Sequence, residues 1–164
     1  MKRRALPFLL ALAASPALLN PASAQPGVDR PQPTLPEEPL TIITRDGTRH
    51  EFRVEMAIDA GHQTIGLMFR PSVAPNGGML FDWGAPRESM MWMRNTISSL
   101  DMVFITQEGR ILRIAERTTP LSLDTIASRG PVRATLELAA GTAERLNLRP
   151  GDRVEQRIFN APTR

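Results

Sequence analysis

Between residues 40 and 158 apolar side chains recur mostly at every second position, the spacing of strands with one buried face. Residues 40–44 and 50–57 flank Arg45-Asp46-Gly47-Thr48, an Asp-Gly turn. Phe52, Val54 and Met56 alternate with Arg53 and Glu55, which predicts a hairpin. Asp59 then offers an N-cap for a helix in which Ile65, Met68 and Phe69 share a face and which stops before Pro71. Gly61 and Gly66 weaken that helix in isolation and suggest close packing on the sheet.

Strands are predicted at 79–81, 90–95, 100–105 and 110–116, with a turn at Gln107-Glu108-Gly109. Asp101-Met102-Val103-Phe104-Ile105 is apolar on both faces after its first residue, which places it centrally. In 132–139, Val132, Ala134, Leu136 and Leu138 share one face while Arg133, Thr135 and Glu137 share a polar one. A short helix at 141–146, a turn at Arg149-Pro150-Gly151-Asp152 and a last strand at 153–158 complete the pattern. About eight short strands with two short helices predict a β-rich α+β fold, one domain over 40–160, built as a sandwich or partly closed barrel.

The segment before this domain has a different character. Lys2, Arg3 and Arg4 precede an apolar stretch at 5–19, and Ala22-Ser23-Ala24 supplies a small-x-small cleavage pattern, so 1–24 reads as a signal peptide and the protein as periplasmic or secreted. The stretch falls short of the roughly 20 residues a membrane span needs, so no span is expected once the signal is removed. Residues 25–39 hold five prolines and read as a disordered linker. Beyond the signal, basic and acidic residues balance at 17 each, which removes the electrostatic warrant for nucleic acid as a partner. The chain has no cysteine, so disulfides, thiol catalysis and lipoprotein acylation are excluded.

Candidate chemistry concentrates in Ser89-Met90-Met91-Trp92-Met93-Arg94-Asn95, which with Met102 holds four of the eight methionines. Thioether sulfur suits copper(I), but strand alternation sends Met90, Trp92 and Arg94 one way and Met91, Met93 and Asn95 the other, so core packing is the simpler role. A copper(I) trap requires Met91 and Met93 to meet a third donor such as Met68, Met79 or Met102. His50 and His62 lack ligand spacing, and no cofactor is expected. Arg94 and Asp101 are expected to approach each other beside the Trp92 indole, as a ligand platform or as a pin between strand ends. Asp101 with Glu137 supplies the two carboxylates of a hydrolase, against the simpler reading that Glu137 lies on a solvated strand face.

Six motifs in register resemble the domain of unknown function 192 (DUF192) family. They are Gly66-Leu67-Met68-Phe69-Arg70, Gly78-Met79-Leu80-Phe81, Trp92-Met93-Arg94-Asn95-Thr96, Leu100-Asp101-Met102-Val103-Phe104-Ile105, Leu136-Glu137-Leu138-Ala139-Ala140-Gly141 and Pro150-Gly151-Asp152. The resemblance spans about residues 50–157. It implies a small exported β-rich domain with no established activity, and a characteristic polar set of Arg70, Trp92, Arg94, Asn95, Asp101 and Glu137. Arg94 stands where lysine is common in that motif, which keeps the charge and allows bidentate pairing. The expectation is therefore a binding or accessory module whose partner is a small polar ligand, such as a sugar or peptide, or another envelope protein anchored on Trp92 or Trp83. The alternatives are the hydrolase and the copper(I) protein.

Overall fold

A computed structural model describes residues 28–159. The expected signal peptide and the first linker residues lie outside that range. The Asp-Gly turn forms as expected: Gly47 takes a φ of 84°, and the Asp46 carboxylate accepts from the Thr44 hydroxyl and the Thr48 amide. It joins β1 (Glu37–Ile43) to β2 (Arg49–Ala57). β3 (Met79–Met91), β4 (Leu100–Ile105), β5 (Ile111–Ala115), β6 (Ile126–Ala139) and β7 (Arg153–Glu155) complete one sheet, ordered β5-β4-β6-β3-β2-β1-β7.

The ends of that sheet nearly meet. The Ile111 amide donates to the Asp152 carbonyl, the Gly151 amide to the Ile111 carbonyl and the Val154 amide to the Gly109 carbonyl, so the run into β5 lies against the run into β7. The result is a seven-stranded, nearly closed barrel with two short helices, one strand fewer than the sequence pattern suggests. Among the described strands only β2 and β3 pair in parallel. Parallel neighbours need a crossover, and residues 58–78, including α1 (Ala60–Ile65), provide it.

Two apolar layers follow. Leu40, Ile42, Phe52, Val54, Leu136 and Leu138 belong to the layer inside the barrel. Met79, Phe81, Met93, Leu100, Met102 and Phe104 form a second layer on the outer face, beneath α1 and the 92–99 loop. β4 contributes to both layers, and all six of its residues are buried. The second layer overturns one expectation: Thr135 and Glu137 do not lie on a solvated face but are buried beneath it.

Four further expectations change. The Pro-rich segment packs on the domain from Gln32 onward, because the Gln32 amide donates to the Gly66 carbonyl and Leu35 is buried. The predicted strands at 79–81 and 90–95 belong to one bent strand ending at Met91, hidden by Gly84-Ala85-Pro86, where β3 and β6 shift register between Asp82 and Arg87. Helix α1 stops at Ile65 because Gly66 adopts a φ of 52°, which leaves Met68 and Phe69 beyond it. The last strand is three residues long and gives way to a 3-10 turn, Arg157–Phe159.

Gly78 shows how tightly β3 enters. Its carbonyl accepts from the Glu55 amide, and a Cβ there would overlap the Glu137 carbonyl oxygen and come within 3.0 Å of Leu138 Cδ2. The obstacle is backbone, which cannot swing away. We expect Gly78→Ala to lose roughly 3 kcal/mol in urea denaturation. Gly47→Ala, where nothing lies within 4 Å, should lose only about 1 kcal/mol from its left-handed φ. Equal losses at the two positions would refute this account.

Candidate functional site

The outer layer does not cover the barrel completely. Where α1 stops short and β3 bends away, a cleft of about 390 Å³ opens. One wall is α1 and the turn after it, with Gln63, Ile65 and Met68; the other is β3, with Phe81, Trp83, Arg87, Met90 and Met91. Trp92 and Thr96 reach in from the following loop, and Glu137 of β6 forms the base.

Each side chain has a structural reason to be there. Trp83 packs on Phe81 with ring centroids 5.7 Å apart and donates its indole N–H to the Thr135 hydroxyl at 3.2 Å. The Arg87 guanidinium lies 4.2 Å over the Trp83 ring, and the Arg94 guanidinium 5.4 Å over the Trp92 ring. Gln63 donates to the carbonyls of Ala57, Ile58 and Asp82, tying α1 to the rim. Trp92 remains 45% exposed, a large apolar surface at the mouth.

Glu137 differs from every other acid in the protein. It is 4% exposed, and β-pairing sets it beside Met79 on one side and Met102 on the other. No hydrogen bond or ion pair holds its carboxyl within the described residues, and burial alone raises its pKa to about 8. At neutral pH it is therefore mostly a neutral acid, able to donate and to accept.

The polar set expected from the sequence is divided by the fold. Trp92 and Glu137 meet in the cleft. Arg94 lies over Trp92 at the mouth, exposed, without a carboxylate partner in the described residues. Asn95 adopts a φ of 55° in the tight turn after Met93, and its carbonyl accepts from the Phe69 amide, so its backbone shapes the loop. Arg70 makes a two-pronged pair with Glu55 at 2.8 and 3.0 Å, while Glu55 also accepts the Leu35 amide and the Arg70 carbonyl accepts from Ser98. Arg70 thus clasps three segments next to the cleft.

Asp101 is not beside Arg94. It is fully buried, with one oxygen accepting the Arg117 amide and the other the Ala143 amide, both at 2.8 Å. Ala143 lies in the first turn of α2 (Thr142–Leu146), whose N-cap, Gly141, has no side chain to offer. Asp101 supplies that missing cap from a neighbouring strand.

The hydrolase pair loses its geometry. In the β4–β6 register Asp101 faces Leu138 while Met102 faces Glu137, so successive pleats turn the two carboxylates to opposite faces of the sheet. That removes the hydrolase pair. The methionines are packing residues here: Met79, Met93 and Met102 share one buried apolar layer with Met91 against it, and the Met93 sulfur accepts from the Thr118 hydroxyl. No group of three His, Asp or Glu residues suited to a metal occurs among the described residues. No helix among them is long and apolar enough to cross a membrane.

Sequence reading missed Trp83, Arg87, Met68 and Met90 as cleft residues. The signal available was the Phe81-Asp82-Trp83 alternation, which puts two aromatics on one face of a strand.

Two solved structures share this architecture. A Sinorhizobium meliloti 1021 protein, named as a candidate transcription regulator, is 45% identical with a TM-score of 0.75, over 77% of this chain and 98% of its own. A protein of unknown function from Novosphingobium aromaticivorans DSM 12444 is 37% identical with a TM-score of 0.73, over 82% of this chain and 94% of its own. No curated protein matches at a significant level. The family model described as DUF192, uncharacterized ACR, COG1430, matches residues 41–156. With that match spanning the barrel from β1 to β7, the chain belongs to the DUF192 family.

Proposed function

We propose that the protein is a non-catalytic binding or accessory module of the bacterial envelope, and that the cleft between α1 and β3 takes a small polar ligand such as a sugar or a peptide. The observation that carries this reading is the pairing of two indoles with one unpartnered carboxyl in a single cleft. Broad apolar faces with a few convergent polar groups are the usual composition of a selective ligand site. The envelope assignment rests on the signal-like pattern of Lys2, Arg3, Arg4, the apolar stretch and Ala22-Ser23-Ala24. The name of the Sinorhizobium relative raises nucleic acid as another partner. The balance of arginines and acids beyond residue 24 gives that partner little electrostatic support.

A thermal-shift screen with envelope sugars and short peptides tests the proposal, since a ligand that binds only the folded state raises its melting temperature. We expect at least one member to do so, and Trp92→Ala to weaken it about 10-fold while leaving the unliganded protein folded. A shift that survives Trp92→Ala unchanged places binding elsewhere and defeats the assignment of the cleft.

A further inference from the structure

We infer that the cleft selects ligands that carry a protonated amine on an apolar body, with the Glu137 carboxylate receiving the ammonium and Trp92 the apolar part. This rests on the cleft being a ligand site and names the class it takes. Glu137 is more than nine-tenths buried, lines the cleft and has no partner within the described residues. Its carboxyl borders the cleft, where a ligand can supply the partner that the described residues do not.

The choice of ammonium over hydroxyl follows from the surroundings. A hydrogen bond between an ammonium and a carboxylate is roughly twice as strong as one between neutral groups. The indoles of Trp83 and Trp92 already carry the guanidinium groups of Arg87 and Arg94, so the attraction for a ligand's ammonium comes from Glu137 while the rings supply apolar surface. Arg87 is the single charged residue besides Glu137 among those lining it, and its guanidinium is held over Trp83. Arg94 is held over Trp92, α1 contributes no charged side chain to the lining, and the strand neighbours of Glu137 are Met79 and Met102.

The proton balance is explicit. At neutral pH Glu137 is mostly a carboxylic acid in the free protein; on binding it releases that proton to solvent, and the ligand's N–H groups donate to the carboxylate that remains. Close to one proton leaves per ammonium bound. A neutral ligand releases none.

The intact protein provides its own probe, because both of its tryptophans line the cleft and intrinsic fluorescence reports from there. Phenethylamine and 2-phenylethanol share an aromatic body and differ at the terminal group. We expect the amine to change the fluorescence at about 10-fold lower concentration than the alcohol. Glu137→Gln should weaken the amine by a similar factor and leave the alcohol within about twofold. Calorimetry in buffers of different ionisation enthalpy should report proton release for the amine alone. Equal affinity for both probes, with both lost in Trp92→Ala, overturns the inference while leaving the binding cleft in place. No response to either probe also overturns it, and the sugar and peptide screen then decides the broader reading separately.

Discussion

Asp101→Asn should lower the free energy of unfolding by about 3 kcal/mol, although it changes one atom and removes no volume. Each oxygen of Asp101 accepts a main-chain amide in a fully buried position. An asparagine offers one oxygen and one NH2, so the amide of either Arg117 or Ala143 then meets a donor. The unmatched N–H loses a charge-assisted bond, in a buried position at Ala143 and in a partly buried one at Arg117. If the Ala143 amide is the one abandoned, α2 loses the only side-chain acceptor at its start. Urea denaturation reads the effect as a lower midpoint at unchanged slope. A loss under about 1 kcal/mol would mean that Asp101 is not the structural cap described, and would reopen a role for it in ligand chemistry.

Glu137→Gln should act in the opposite sense, and only above acid pH. The folded protein holds the Glu137 proton up to a pKa of about 8, whereas the unfolded chain releases it near 4.5. Between those values the folded state binds more protons than the unfolded state, so stability falls as pH rises through the window and levels off above it. At about 1.4 kcal/mol per unit of pKa difference, the wild type gives up on the order of 5 kcal/mol across that range. Glutamine has no proton to lose. The two proteins should be nearly equal in stability at the acid end and diverge steadily, with the variant ahead at the alkaline end. Parallel stability curves for the two would show that Glu137 is already satisfied as an anion, and the cleft would then lack the group on which ligand binding is argued.

These two acids show how far the sequence could be read. The hairpin at Asp46-Gly47, the doubly buried β4 and the capping role of Asp59 all follow from local rules, because turn chemistry and period-two alternation act over a few residues. Asp101 and Glu137 are settled by what packs onto them from far along the chain. Alternation correctly put Glu137 on the face opposite Leu136 and Leu138, but the covering layer that hides this face comes from Met79, Met93 and Met102. Nothing near residue 137 announces it. Asp101 looked free for an ion pair because the helix it caps begins 41 positions later, with a glycine in the place where a capping side chain is normally sought. The boundary at Met91 escaped for a local reason instead: a bulge carrying Gly84 and Pro86 interrupts the periodic signal in mid-strand.

The route by which the barrel closes also constrains when the protein can finish folding. β1 sits between β2 and β7, with Ile42 opposite Val154, so one of the first strands made waits for the last. A chain made or threaded N-terminus first has a hairpin of β1 and β2 whose outer edge stays open until residues 153–155 arrive. Closure is then a long-range event, slow by comparison with forming the hairpin itself, and the open edge is a surface on which other strands can add in the meantime. Whatever escorts this chain has its work concentrated in that interval, and the terminal strand acts as the latch that ends it.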